Sequence, residues 1–472
     1  MIWVVATPAL VSKTNRFSSS REQVLSGEWA SGLSSSEGAD YLATLDDTRF
    51  ASVQYRKRHD HPFIQPRGGF ATYSQQKLLV EALEKAGADF IPLTVDSFTR
   101  NNDYARAGYL LQKSEEEDKN YLNGYPLINH TYMVSRGLFD TTTKPVCLRH
   151  GTPDARLLAE VALASGVTEI EGGGLVYSLP YSAQFPVDKA LLYWQYVDQL
   201  CSQYSSAARP IHRESFGPLT ATMVPPFMVI VVQIIELLMA AEQGIKSFGI
   251  VFGQTGSFVQ DIATNKVLRN LSEKYLGLFD FKDVEIRLVY HQWMGSFPTK
   301  SHQAGALITS SAIVAEIIQA DKIVVKTRDE AVGIPTIEEN CRAVEQVRFT
   351  FEKFPVSVDL SSEEISHEVE LITSEVEYVL EAIFNLKGEA FWESIFHSFK
   401  LGFLDIPYSP HQMNANKLVT IRDRNLAIRI QDPGRVPIQR RDLEIEQQLL
   451  RDNPDQSGSL FDKMIKDVNI MV

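Results

Sequence analysis

Residues 168–182 read TEIEGGGLVYSLPYS. A short apolar strand, Val167 to Ile170, runs into a single carboxylate, Glu171. Gly172, Gly173 and Gly174 follow, and without a Cβ they let a backbone approach a ligand closely. Tyr177 and Tyr181 then stand on either side of Pro180. Taken alone, this is a tight glycine turn. It decides the fold because other strands in the chain end the same way, on polar or glycine residues.

Working outward, apolar runs recur with amphipathic stretches between them. Strand candidates are Phe63–Pro66 before Arg67-Gly68-Gly69, Phe90–Val95 before Thr99-Arg100, Pro126–Asn129, and Val146–Leu148 before Arg149-His150-Gly151-Thr152. After Val167–Ile170 come Pro210–His212 before Arg213-Glu214, Phe248–Phe252, Val284–Tyr290 before His291-Gln292-Trp293, and Ile323–Val325 before Lys326. Pro153 opens a helical pattern stopped by Gly166, and Gln303–Ala320 is another. Strands alternating with helices predict an α/β fold with a parallel sheet. No GxGxxG opens a helix after the first strand, and the polar residues gather at the C-terminal strand ends, as in a (β/α)8 TIM barrel. Nine candidates for eight barrel strands leave one surplus.

Three regions follow. Residues 1–60 read as a polar, irregular N-terminal lead-in, residues 61–350 as the catalytic barrel, and residues 351–472 as a C-terminal helical extension. In the last, Ile365, Val369, Ile372, Val376, Val379 and Ile383 mark a long amphipathic helix expected to pack on the barrel. The run Val224–Ala241, broken by Gln233 and Glu236, predicts a buried helix rather than a membrane span. The apolar start MIWVVATPALVS lacks the basic segment of a signal peptide. A net charge of −13 argues against a general nucleic-acid or anionic-membrane surface. Three scattered cysteines form no disulfide framework and fit a reducing cytoplasm.

The strand ends suggest chemistry. Arg67, Arg100 and Arg149 each close a different strand, and guanidinium groups bind carboxylates through paired hydrogen bonds. Three converging on one mouth suit a small dicarboxylate better than a phosphate. Beside them Glu171 is expected to stay ionised and to face a substrate ammonium group. Tyr177 and Tyr181 can donate to a carboxylate. Lys326 and Glu330, four apart, form either a salt bridge or a contact with a hydroxylated ligand. His150 and His291 lack the spacing of a metal site, so no metal ligand is assigned.

The segments RHGTPDARLLAE (149–160), EGGGLVYSLPYS (171–182), HRESFGPLTATMVPP (212–226), VYHQWMGSFP (289–298) and VVKTRDEAVGIPT (324–336) resemble the epsilon, or large, subunit of glutamate mutase, also called methylaspartate mutase. The resemblance runs from about Glu22 to Asp423. It implies a (β/α)8 barrel and an isomerase, the catalytic subunit in the adenosylcobalamin-dependent radical rearrangement of L-glutamate to (2S,3S)-3-methylaspartate. By that resemblance Arg67, Arg100, Arg149, His150, Glu171, Tyr177 and Tyr181 bind glutamate, with Glu171 the catalytic residue at the amino group. Gly69, Asn123, Pro180, Phe297, Lys326, Glu330 and Ile334 match positions that contact the cobalamin, the last lysine and glutamate at the adenosyl ribose.

The family's cobalt-ligating DxHxxG loop is absent, and Asp60-His61-Pro62 does not supply it. The resemblance therefore implies a separate cobalamin-binding small (sigma) subunit in a cytoplasmic assembly of two large and two small chains, working in glutamate catabolism. The chain departs from the family pattern at Gly68 and Ser296, around Asn129–Gly137, where the pattern does not explain Tyr132 and Arg136, and over most of the segment from Arg435. Two other classes fit the strand ends: a cobalamin-independent lyase or isomerase on a small dicarboxylate, and a non-catalytic dicarboxylate-binding protein.

Overall fold

The computed structural model describes residues 13–57, 59–217, 223–354, 358–386, 388–451 and 459–472. The reading of the N-terminal MIWVVATPALVS, and residues 218–222 of the resemblance, lie outside them. The described residues begin with α1 (Lys13–Leu25), α2 (Glu37–Thr44) and α3 (Ala51–Tyr55), so the described part of the lead-in is largely helical rather than irregular. It is pinned to the barrel by charge. Arg21 pairs at 2.7 Å with Glu160, whose side chain is fully buried. Arg136, unexplained by sequence, pairs with Glu37 at 2.7 Å, and its guanidinium lies over the rings of Tyr41 and Tyr132.

The barrel then runs β1 (Phe63–Pro66), α4 (Tyr73–Lys85), β2 (Ile91–Thr94), α5 (Ser97–Arg100), α6 (Tyr104–Glu117), α7 (Leu127–Phe139), β3 (Val146–Arg149), α8 (Arg156–Ala164), β4 (Glu169–Glu171) and α9 (Val187–Tyr204). It continues through β5 (His212–Glu214), α10 (Pro226–Glu242), β6 (Ser247–Gly253), α11 (Phe258–Leu278), β7 (Glu285–His291), α12 (Ser301–Ile317), β8 (Lys322–Val325) and α13 (Ile337–Lys353). Eight parallel strands form one sheet in which β1 pairs with β8 and β2 stands at the other edge. The β1–β2 seam is closed by single bonds, from Asp89 N–H to Ile64 O at 2.9 Å and from Thr94 N–H to Gly68 O at 3.1 Å. The surplus strand candidate is Pro126–Asn129. It enters α7 instead, because Pro126 sits just before the first helical residue, where its missing N–H leaves no helical bond unmade. α8 starts three residues after Pro153, where Asp154 accepts from the N–H of Arg156.

Beyond the barrel lie α14 (Glu363–Phe384), α15 (Phe391–Leu401), an antiparallel hairpin of β9 (Val419–Arg422) and β10 (Ile428–Asp432), α16 (Arg440–Arg451) and α17 (Leu460–Val468). The apolar stripe of α14 packs on α11 and α10, as its periodicity predicts. The predicted Val224–Ala241 run becomes the buried α10 from Pro226 on, and no helix among the described residues is long and apolar enough to cross a membrane.

The barrel interior has two characters. Val251, Val289 and Val324 form a dry cluster between β6, β7 and β8. Two residues before Val324 on the same strand, the interior turns ionic. Lys322 Nζ reaches Glu169 at 2.6 Å and Glu214 at 2.5 Å, and donates to Gln65, with all three charged side chains at most 1% exposed. Below this, α3 plugs the barrel floor with Tyr55, packed with Phe90 and Cys147.

Candidate active site at the barrel mouth

The predicted polar residues do fall at one end of the barrel. Arg149, Glu171, Glu214 and His291 are the last residues of β3, β4, β5 and β7, while Arg67 and Lys326 directly follow β1 and β8. Arg100 ends the short helix after β2. Strand pairing brings Thr94 beside Arg149 and Glu171 beside Glu214, so the ends are level around the rim.

At the centre, Arg149 forms ion pairs with Glu171 and, at 3.4 Å, with Glu214. The Tyr177 hydroxyl donates to the other oxygen of Glu171. Glu171 does not follow the expectation of an ordinary ionised carboxylate. Burial pushes it up to about 7, against the pull of Arg149, and the like charge of Glu214 adds to the push. Desolvation outweighs the positive neighbour because Glu171 is 2% exposed.

His150 is buried and stacks on Trp194 at 5.6 Å, with Tyr177 edge-on at 4.9 Å. Its Nδ1 accepts from the Thr152 N–H at 3.2 Å. Burial, then the charge of Arg100, drives its pKa far down, so the ring is neutral. His291 is neutral for the same first reason, followed by Arg149. Its Nδ1–H donates to the Gln292 carbonyl at 3.0 Å, which leaves Nε2 as an acceptor 3.4 Å from Arg149. The two histidines thus serve separate partners. Glu169, His212 and Glu214 have the spacing of a metal site, but the Lys322 ammonium already lies between the two carboxylates.

The three arginines differ in their partners. Arg149 is matched by acids, and Arg67 reaches Glu330 at 3.4 Å. Arg100 spends its Nε on the Val95 carbonyl at 2.6 Å and has no ion pair with a carboxylate among the described residues. A Cβ on Gly151 would lie 3.8 Å from both the Arg100 side chain and the Tyr181 ring, so the two side chains share one wall. Tyr181 is 49% exposed at the rim.

The Lys326–Glu330 pair forms at 3.1 Å, so one Glu330 oxygen serves both Lys326 and Arg67. Burial pushes the Lys326 ammonium down to about 8, although Glu330 holds it up. Phe297 lies under this ammonium at 5.3 Å, and Ile334 is 49% exposed. Asn123 accepts from the Ser97 N–H at 2.9 Å, and Pro180 is half-buried beside Tyr181. Gly69 has an internal reason to be glycine, since a Cβ there would meet the Thr94 carbonyl at 2.3 Å.

The glycines after Glu171 serve protein packing rather than an approaching ligand. A Cβ on Gly172 would fall 2.4 Å from Trp194 and from Tyr177, one on Gly173 2.4 Å from the Glu236 carboxyl, and one on Gly174 2.9 Å from Leu191. Sequence reasoning also missed Glu169, His212, Glu214 and Lys322. The signal was present: EIE and HRE put polar residues at both inward positions of β4 and β5.

Comparisons with known proteins agree over nearly the whole length. The family described as "Methylaspartate mutase E chain (MutE)" matches residues 46–471. The glutamate mutase epsilon subunit of Yersinia enterocolitica is 38% identical over 442 residues, spanning 92% of this chain and 91% of that protein. That of Escherichia coli O157:H7 is 36% identical over 469 residues, 96% of each chain. That of Desulfitobacterium hafniense is 36% identical over 426 residues, 89% of this chain and 88% of the relative.

Proposed function

The chain belongs to the methylaspartate mutase E chain family, and from that premise we propose that it is the substrate-binding catalytic subunit of a glutamate mutase, interconverting L-glutamate and (2S,3S)-3-methylaspartate. Family membership supports a mutase, an isomerase. The observation that carries the substrate is a charge mismatch of two signs. Inside the barrel Glu169, Glu171 and Glu214 form ion pairs only with Arg149 and Lys322 among the described residues, so an ammonium group beside Glu171 would complete the set. At the wall Arg100 has no acid partner among the described residues, so a carboxylate would complete that one. An amino acid with a second carboxylate, reached by Arg67 or Arg149, meets both needs.

The residues at the β8 end fit a bound adenosylcobalamin. Lys326 and Glu330 offer a nearly buried donor and a shared acceptor for ribose hydroxyls, with Phe297 under the ammonium, and Gly69, Asn123, Pro180 and Ile334 are assigned to the cofactor by the family resemblance. When bound, that cofactor supplies radical chemistry for hydrogen removal from the substrate. The chain's own residues then have positioning tasks. The arginines hold both carboxylates through the rearrangement, and Glu171 holds the amino group with Tyr177 fixing its carboxylate. His150, neutral and stacked, closes the pocket floor without adding charge, and Tyr181 covers it against water.

The sequence contains no DxHxxG loop, which supports a separate cobalamin-binding small subunit over the mouth, in an assembly of two large and two small chains. The described cysteines are all free, in keeping with a cytoplasmic site of action.

The test is glutamate-dependent formation of methylaspartate, followed as mesaconate after coupling to methylaspartase, with adenosylcobalamin present. Activity only when this chain and the small subunit are combined is the expected result. Turnover by this chain alone would favour a cobalamin-independent lyase or isomerase. A stable complex without turnover would favour a non-catalytic dicarboxylate-binding role.

A further inference from the structure

Two polar residues interrupt the apolar body of α10, Gln233 and Glu236, and both are buried. Both turn toward the loops of the mouth. Gln233 accepts from the Val251 N–H at 2.8 Å and donates to Ser215 Oγ at 3.1 Å and to the Phe216 carbonyl at 3.2 Å. Glu236 Oε1 accepts from the N–H groups of Leu175 at 2.7 Å and Val176 at 3.2 Å. Those groups open a helical turn in which Tyr177 N–H bonds to the Gly173 carbonyl and Leu179 N–H to the Leu175 carbonyl. N–H groups at such a start have no acceptor of their own, so a buried carboxylate there fixes the backbone.

The other side of the same loop is gripped by a cation. Arg213, 1% exposed and held by Asp198 at 2.6 Å, donates to the carbonyls of Ile170 and Gly172 and lies over the Trp194 ring. The glycine stretch is therefore held between Arg213, on the carbonyls of Ile170 and Gly172, and Glu236, on the amides of Leu175 and Val176 that follow it. Tyr177, at the centre of this turn, reaches Glu171 on the substrate side. A leucine would suit the apolar surroundings of α10 better than a buried carboxylate, so packing alone does not account for Glu236.

We propose that Glu236 is a positioning residue for the active site: by anchoring the amides of Leu175 and Val176 it sets where the Tyr177 hydroxyl meets Glu171. The substrate arm of the test rests on the proposed mutase function, whereas the Glu171 arm does not. What the anchor needs is an oxygen acceptor rather than a charge, since burial pushes the Glu236 carboxyl up to about 7 and either protonation state keeps an acceptor.

The experiment is a titration of Glu171 by carbon-13 NMR in chain labelled at the glutamate carboxyl, with its signal assigned by E171Q. It is run on wild type, Y177F, E236L, E236Q and E236L/Y177F. Loss of the Tyr177 bond removes a contact that favours the carboxylate, so Y177F raises the Glu171 pKa. E236L is expected to raise it by at least half of that amount, E236Q to stay near wild type, and the double variant to go no further than Y177F. L-Glutamate binding, by calorimetry on the same variants, weakens about tenfold in E236L and about twofold or less in E236Q. A folded E236L with the wild-type Glu171 titration, or a double variant whose shift is the sum of the two, would overturn the proposal. Failure of wild type to bind glutamate would count against the mutase reading and leave the Glu171 result to decide this one.

Discussion

Tyr177 donates its phenolic hydrogen to the carboxylate of Glu171, six positions earlier, from a turn that begins where β4 ends. Strand and turn thus present an acid and its orienting group on a single short segment. Arg149 approaches the second oxygen of that carboxylate from β3.

Stability should fall as pH rises through the titration of Glu171. Its folded pKa of about 7 lies above its ordinary value of 4.5. Between those values the folded chain keeps a proton that the unfolded chain has released, so stability falls across that window and the loss is complete above about pH 7. Urea unfolding at pH 5 and pH 8 should show wild type losing about 1–3 kcal/mol more than E171Q over that interval. Glutamate affinity should move the other way, weakening below pH 7 as the carboxylate that meets the ammonium is protonated.

Arg100→Lys should raise KM for glutamate roughly 100-fold, through loss of a forked contact of about 2–3 kcal/mol. The fold should be unaffected, because Arg100 makes no ion pair with a carboxylate among the described residues. Thermal unfolding beside steady-state kinetics checks both halves.

Lys322→Met should unfold the barrel or destabilise it by about 3–5 kcal/mol, since Glu169 and Glu214 would lose the cation between them and Arg149 reaches only Glu214 of the two. Adding Glu169→Gln should restore part of the loss. The two midpoints in urea give the comparison.

Gly173→Ala should cost about 1–3 kcal/mol, because the new Cβ would fall 2.4 Å from the Glu236 carboxyl. Gly137→Ala, with its nearest neighbour at 3.7 Å, is the control and should be close to neutral.

The cofactor-dependent rate should also decline on the alkaline side. Burial holds Lys326 down to about 8, so its ammonium discharges above that pH and a donor to the ribose is lost. Lys326→Arg, which stays charged, should move this limb upward while weakening cofactor binding through altered geometry. Rate profiles between pH 6 and 9.5 would show the shift.

The barrel was legible because each strand run was short and apolar and ended on a charged or glycine residue. Arg67, Arg149, Glu171 and Lys326 all stand where that pattern put them. Pro126–Asn129 misled because four residues carry no period that separates a strand from the first turn of a helix. The glycines after Glu171 were visible, but their neighbours Trp194, Leu191 and Glu236 come from helices packed behind the strand, and contacts of that kind leave no local mark. The state of Glu171 was misjudged for a related reason. A nearby arginine can be guessed from spacing, whereas the depth of burial belongs to the assembled barrel.

The ammonium of Lys322 belongs to the last barrel strand, yet its partners Glu169 and Glu214 sit on β4 and β5 and its third contact, Gln65, on β1. These pairings reach across 153 and 257 positions of chain. During synthesis the two acids emerge long before their counter-ion, so neither half of the barrel can become a dry, finished unit by itself. Ordering of the lumen must wait for β8, which makes ring closure a single late event and slows it, as contacts distant in sequence do. A chain cut between β5 and β8 should therefore remain open and reassemble only when the missing strand is supplied as a fragment.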